Sequence, residues 1–378
     1  MTVTVDELLT KVVQRDGSDL HLKANQYPMV RIYGDLYPMQ EYSKLTPEQV
    51  RDLCFSVISP AQRERFEKEL ELDFAYEVPG LSRFRGNIYQ QRGNVQAAFR
   101  VIPYRIQTME ELHLPPVCRY FAERPRGLVL VTGPAGSGKS TTQAAMLHYI
   151  NQNFPVHIVT VEDPIEFVHE PKVALVNQRE LDTDTHSFAN ALKFVLRQDP
   201  DVILVGEMRN LETIQAAITA AETGHIVFAT LHTTGAQGTV NRIIDVFPPS
   251  QQAQIRTQLS TSVIGIVSQT LLPKIGGGRV GAFEMLVVTP AIANLIRENK
   301  VYRINSAIQT GHKLGMQLLD DHMFELWRKG LVDKKEVLMK AQSPDELAAR
   351  IARAERGILE DEEEARERLA REQVRREE

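Results

Sequence analysis

Cysteine is almost missing from this chain. Its 378 residues include only Cys54 and Cys118, and neither stands in a CxxC or CxxH spacing. That excludes a disulfide framework and a four-cysteine zinc site. No run of 18 apolar residues occurs, so nothing predicts a membrane span. The opening residues, MTVTVDELL, carry acids early and lack the basic-then-apolar order of a secretory signal, and a cytoplasmic location is expected. An excess of one charge is lacking too. The 44 Lys and Arg against 49 Asp and Glu leave a net charge of −5, which gives no ground for a nucleic-acid partner. What remains is ordinary: 43% hydrophobic and 25% charged residues are the proportions of a soluble globular protein. At about 150 residues per domain, two or three domains are expected.

The last segment separates first. From Ser343 to Glu378 there are 12 acidic residues, 8 arginines and no aromatic residue, a net charge of −4 that leaves −1 for the rest. Glu362/Arg366, Glu364/Arg368, Glu367/Arg371 and Glu372/Arg376 are i,i+4 pairs with the acid first, the favourable order on a helix. Residues 343–378 therefore read as a charged helical tail, solvated or partner-binding. A second boundary is expected over 103–126, where Pro103, Pro115, Pro116 and Pro125 interrupt any regular pattern. Ahead of it, residues 1–102 read as an α+β domain. Strands are predicted at 72–78, 83–90 and 95–102, and helices at 47–58 and 60–70. Beyond it, residues 127–342 alternate short β runs with helical segments, the pattern of a mostly parallel sheet covered by helices.

Gly133-Pro134-Ala135-Gly136-Ser137-Gly138-Lys139-Ser140 fits G-x-x-x-x-G-K-[ST], and Thr141 follows it. The apolar strand Leu128–Thr132 precedes it and a helical stretch follows. Phosphate binding needs this order. Glycines let backbone N–H groups approach phosphate oxygens, and the helix N-terminus adds positive dipole. Lys139 then reaches the β/γ-phosphates, and Ser140 can place its hydroxyl on Mg²⁺. ATP or ADP with Mg²⁺ is the ligand this predicts.

Three further predicted strands end in polar residues: 158–161 before Glu162-Asp163-Pro164-Ile165-Glu166, 202–205 before Gly206-Glu207, and 226–230 before Leu231-His232. Ligands of open α/β sheets gather at strand carboxyl ends. Mg²⁺ takes hard oxygen ligands, which makes Glu207 the metal candidate beside Ser140. A second carboxylate must orient the attacking water, and spacing does not choose between Glu162 and Glu166. His232 is placed to sense the γ-phosphate or donate to it. In the N-terminal domain, Arg92-Gly93 reads as a two-residue hairpin loop, which puts Arg85 opposite Arg100 with Arg83 on the same face. Like charges in that position repel. The arginines therefore meet an anion such as phosphate, splay into solvent, or meet acids such as Asp73 or Glu77.

Assembled, the phosphate loop, Glu-Asp-Pro-Ile-Glu, Val-Gly-Glu-Met-Arg and Thr-Leu-His-Thr-Thr resemble the type II/IV secretion ATPase superfamily, and most of all its PilT-type retraction ATPases of type IV pili. Ser18–Leu22, Val176–Arg179, Ala220–Gly224 and Ala307–Gly311 match as well, so the likeness runs from about Leu8 to Ala341. The resemblance implies a PAS-like N-terminal domain, a RecA-like ATPase domain and a homohexameric ring. The ring would work on an inner-membrane pilus platform and power twitching motility, so the chain would be cytoplasmic but peripherally associated with that membrane. It also implies Glu166 as the catalytic glutamate of the Asp box, Glu207 as the Walker B glutamate and His232 as the His-box histidine. Arg83, Arg85 and Arg100 would complete a nucleotide site. Extension ATPases of the family usually carry a four-cysteine zinc site, which this chain cannot form.

Two departures stand out. The retraction class reads Ala-Ile-Arg-Asn-Leu-Ile-Arg-Glu near its C-terminus, and this chain has Ala293 in place of the first arginine. The tail beyond Ser343 also exceeds the usual length. Both leave room for an accessory paralogue acting beside a principal retraction ATPase. Outside the family, a P-loop kinase would need an acceptor pocket, which nothing here signals, and a DNA-translocating motor sits poorly with the balanced charge.

Overall fold

The computed structural model describes residues 3–32, 34–102 and 105–357. The chain divides into two compact units, one comprising Met1–Arg105 with Glu166–Val168, the other Ile106–Ile165 and His169–Glu378.

The first unit runs α1 (Val5–Gln14), β1 (Asp19–Leu22), β2 (Met29–Ile32), β3 (Asp35–Pro38), α2 (Pro47–Phe55), α3 (Pro60–Glu69), β4 (Glu71–Val78), β5 (Ser82–Gln91) and β6 (Asn94–Ile102). Helix α1 forms because Val5, Leu8, Leu9 and Val12 recur at helical spacing and are all buried, with Thr4 accepting a hydrogen bond from the Glu7 amide. Helices α2 and α3 each begin with a capping box, Thr46 with Gln49 and Ser59 with Gln62, and a proline in the first turn. The six strands form one antiparallel sheet in the order β3-β2-β1-β6-β5-β4. Strands β5 and β6 join through Arg92 and Gly93, both at positive φ, so Gln91 faces Asn94 and Arg85 faces Arg100. The pleat sends Phe84, Ile88 and Phe99 into the core and leaves Arg83, Arg85 and Arg100 on the other face.

The second unit runs α4 (Val117–Ala122), β7 (Gly127–Thr132), α5 (Lys139–Asn153), β8 (His157–Glu162), β9 (Leu175–Glu180), α6 (Phe188–Val195), β10 (Val202–Val205), α7 (Leu211–Glu222), β11 (Ile226–Leu231), α8 (Ala236–Asp245), α9 (Pro249–Ser262), β12 (Val263–Pro273), β13 (Arg279–Val287), α10 (Pro290–Arg297), α11 (Ile304–Thr310), α12 (Leu319–Arg328), α13 (Lys334–Lys340) and α14 (Pro344–Glu355). Its seven-stranded sheet has the order β13-β12-β7-β11-β10-β8-β9, parallel except for β13. Every residue of β7 is buried. Leu128 and Leu130 enter the core on one face of the sheet, Val129 and Val131 that on the other. Continuous apolar runs of this kind are what a sheet covered on both faces requires.

Two expected boundaries move. Residues 106–126 are not a linker, because Val117, Cys118, Phe121 and Ala122 of α4 bury in the core of the second unit. The prolines there shape a packed segment. The tail is not wholly solvated either. Leu347 and Ile351 of α14 bury in a cluster with Met323, Phe324 and Val337 of α12 and α13 and with Leu272 of β12, and Arg350 pairs with Asp321 at 2.6 Å. The four predicted ion pairs from Glu362 to Arg376 lie outside the described residues. Among the described residues, no helix is long and apolar enough to cross a membrane.

Candidate nucleotide site

The sheet of the second unit reverses its winding beside β7, which lies between β11 and β12 although β8 follows it in sequence. A crevice at the carboxyl ends of the strands is the expected place for a ligand in such a sheet. Gly133 leaves β7 at φ +142°, where an added Cβ would lie 2.1 Å from the Gln269 carbonyl oxygen, so no other residue fits. Gly136 and Gly138 also have positive φ. Pro134, Ala135 and Gly136 are exposed, and Ser140 and Thr141, in the first turn of α5, are half-buried. Helix α5 starts from Gly138 with no side-chain cap. The positive end of a 15-residue helix thus lacks the acceptor that most helices carry there.

Lys139 is buried, and its Nζ donates to the carbonyl oxygens of Gly133 at 2.9 Å and Pro134 at 3.0 Å. The same Nζ is 3.4 Å from His232 Nδ1. His232 Nε2 in turn lies 3.2 Å from Glu207 Oε1, and Arg209 Nη2 donates to Glu207 Oε2 at 2.8 Å. A continuous chain of polar contacts therefore runs from the phosphate loop through His232 to Glu207 and Arg209. Burial pushes the Glu207 carboxyl up, but the hydrogen bond and charge of Arg209 and the contact with His232 outweigh it, leaving the pKa below the usual carboxylate range. Backbone bonds fix this region. The Gly206 amide donates to the Val161 carbonyl at 2.8 Å, and the Met208 amide to that of Thr230 at 3.0 Å.

The two remaining acids behave differently. Glu162 accepts at Oε1 from Thr160 Oγ1 at 2.7 Å and Gln178 Nε2 at 3.1 Å, so that oxygen is committed to β8 and β9. Glu166 is exposed, four residues past the end of β8, and the amide of the preceding Ile165 donates to Glu180 Oε2 at 3.0 Å. In the first unit, Arg100 meets Asp19. Arg100 Nε donates to Asp19 Oδ1 at 2.8 Å, and Arg31 Nε lies 3.8 Å from Oδ2. Asp73 instead accepts from Asn87 Nδ2 at 3.0 Å. The Arg100 side chain is 70% exposed, so this pair stabilises the fold by about 1 kcal/mol at most.

Two side chains essential to this geometry went unread in the sequence. Gln269 of β12 donates through Nε2 to the Ser137 carbonyl at 2.7 Å and braces the phosphate loop from behind. Arg209 was visible within Val-Gly-Glu-Met-Arg, but its pairing with Glu207 was not foreseen. The two-residue spacing was the available signal for Arg209, whereas Gln269 carries none.

The residues suit a phosphate and a hard cation. Ser137 Oγ is buried without a hydrogen-bond partner, a donor left over inside the loop, and the uncapped α5 start faces the same turn. Ser140 and Glu207 offer only oxygen. Among the described residues no three His, Cys, Asp or Glu side chains converge as an all-protein cage. Mg²⁺ is usually held by one or two protein oxygens together with substrate phosphates.

Comparisons with known proteins agree with this geometry. The family model described as type II/IV secretion system protein matches residues 98–276. The type IV pilus retraction ATPase PilT of Pseudomonas aeruginosa is 52% identical over 341 residues, covering 90% of this chain and 99% of that protein. A twitching motility protein of Neisseria gonorrhoeae is 50% identical, covering 85% of this chain and 86% of that one. A crystal structure of the pilus retraction motor PilT with bound ADP superposes with a TM-score of 0.87 at 46% identity, over 92% of this chain and 99% of the other. With the phosphate loop, the strand-end acids and the His232 contacts already in place, these likenesses show that the chain belongs to the type II/IV secretion ATPase family, among its PilT-type retraction ATPases.

Proposed function

We propose that this chain is the Mg²⁺-dependent ATPase motor of type IV pilus retraction, working as a homohexameric ring on the inner-membrane pilus platform, with a PAS-like first unit and a RecA-like second. The observation that carries the reading is the Lys139–His232–Glu207 contact chain at the strand ends. It joins the phosphate-binding loop to the acid expected beside the metal. Backbone N–H groups of residues 133–141 bind the phosphates, and Lys139 adds charge to them. Ser140 and Glu207 would hold Mg²⁺, whose positive charge would offset that developing on the transferred phosphate. Glu166 orients the attacking water and accepts its proton, Glu162 being held by Thr160 and Gln178 instead. His232 reports the γ-phosphate to Glu207. The decisive experiment measures ATP turnover together with oligomeric mass of the purified chain. A monomer that never hydrolyses ATP would sink both the motor and the ring.

Arg85 and Arg100 are proposed to contribute charge to the nucleotide phosphates. A dedicated arginine is worth roughly 10³–10⁵ in rate for phosphoryl transfer. Asp19 already neutralises part of this group, so Arg100→Ala should cost about tenfold in turnover with little change in melting temperature. Parent-level turnover would leave Arg100 as a partner of Asp19 and nothing more.

An accessory paralogue is the second reading, and Ala293 favours it. Ala293 is half-buried on α10 beside the buried Ile292 and Ile296. We take this position to couple nucleotide state to output, and coupling energies of about 1–3 kcal/mol are typical. Ala293→Arg should therefore leave ATP turnover within about threefold of the parent. If the site is tightly packed, arginine would overfill it at about 1–3 kcal/mol. A marked fall in melting temperature with lost turnover would make residue 293 a packing position.

A further inference from the structure

Glu284 is a buried acid for which the nucleotide chemistry has no use. It is 1% exposed and sits on β13 opposite Ser268 of β12. Every contact the carboxylate makes is with an N–H donor. The Ala236 amide, first of α8, donates to Oε1 at 2.6 Å. Gln342 Nε2, between α13 and α14, donates to Oε2 at 3.2 Å. One carboxylate therefore ties the start of α8, which has no capping side chain of its own, to the segment between α13 and α14.

These two partners lead in different directions. Helix α8 begins four residues after His232, and the loop between them is tied down along its length. The Gly235 amide donates to Ser268 Oγ at 2.9 Å. Thr239 Oγ1 donates to the Gly235 carbonyl at 2.7 Å, with Thr233 Oγ1 also 2.7 Å away. Helix α12 begins the C-terminal helical group, where Asp320 accepts from the Gln342 and Ser343 amides at 2.8 and 2.7 Å. The charge of Asp320 also bears on Glu284. His322, further along α12, accepts from the Phe283 amide and is held neutral by burial, its pKa pushed down to about 4.

We propose that Glu284 is a positioning residue that sets the His232 loop and links it to the C-terminal helices α12–α14. The site gains precision rather than stability from it. Burial raises the Glu284 pKa, the hydrogen bonds to its carboxylate only partly opposing this. A carboxyl raised in this way stabilises the fold below its unfolded-state pKa and loses that contribution as pH rises through the folded-state value.

The proposal rests on the ATPase reading, and its test separates the two. Full-length parent, Glu284→Gln and Gln342→Leu are compared for ATP turnover, KM for ATP, ADP binding and melting temperature. Glutamine matches the shape but offers one acceptor and brings donors of its own against the amides. Glu284→Gln should melt within about 4 °C of the parent and bind ADP equally well. Its kcat should fall about tenfold with KM changed less than twofold. Gln342→Leu leaves the α8 start capped and should lower kcat about threefold, and the double variant should be no slower than Glu284→Gln alone. A folded Glu284→Gln with parent kcat overturns the proposal, as does a kcat loss matched by lost ADP binding. If Glu284→Gln does not fold, Gln342→Leu decides: a lower kcat supports the link and parent kcat overturns it. An inactive parent would overturn the ATPase reading instead.

Discussion

Glu166→Gln is expected to bind ATP with near-parent affinity and to hydrolyse it about 10²–10⁴-fold more slowly, the usual loss when a positioned base is removed. The substitution keeps the shape but replaces one acceptor oxygen by an NH2 donor and removes the ability to take a proton from water. On this reading, phosphate binding rests on the loop from Gly133 to Thr141 and on Lys139, none of which is altered, so the variant should accumulate as a nucleotide-loaded form. Glu162→Gln is the matched control. Because Glu162 accepts from Thr160 and Gln178, its replacement should disturb the β8–β9 end and leave most of the hydrolysis. Single-turnover hydrolysis and ATP binding, measured on both variants, distinguish the two acids. If Glu166→Gln turns over like the parent, the base is Glu162 or Glu207.

Glu207→Ala should cost about 10²–10³ in turnover and raise the Mg²⁺ concentration needed for half-maximal rate. Each tenfold in rate is about 1.4 kcal/mol of barrier, and a metal that stabilises transition-state charge is worth several kcal/mol. Two effects combine here. A bound Mg²⁺ would lose a protein oxygen, and Arg209 and His232 lose the carboxylate that contacts both. Arg209 would then keep only its longer contact with Asp163, at 3.7 Å. A Mg²⁺ titration of turnover reads the first effect, and nucleotide affinity reads the second. An unchanged Mg²⁺ requirement together with lost turnover would assign Glu207 to holding His232 and Arg209, not to the metal.

Much of the site was legible because its signals are local. The glycines at 133, 136 and 138 mark a backbone that other residues do not adopt, and an apolar strand followed by a helical stretch gives that turn its setting. The Arg92-Gly93 turn sets which residues face each other in β5 and β6, so the pairing of Arg85 with Arg100 followed from counting. Apolar runs ending in acids marked the ends of β8 and β10. Such readings depend on covalent neighbours, whose spacing and allowed dihedrals are written directly in the chain.

Other features emerged only when distant segments met. Nothing near residue 269 says that its amide will brace a loop 132 positions earlier, and Asp19 reaches Arg100 only because β1 pairs with β6. The prolines of 103–126 suggested a linker, yet α4 is core, since Val117 and Phe121 find apolar partners on the sheet. The hairpin of β12 and β13 was not read at all, and it carries both Gln269 and Glu284. The sequence by itself determined the phosphate loop, the acids at the strand ends and the family. Tertiary structure decided which of those acids share a hydrogen-bonded chain and which side chains hold them. Strand order and cross-strand contacts are selected by how whole apolar faces pack, a property of the folded unit that local propensity, similar for many alternative pairings, does not encode.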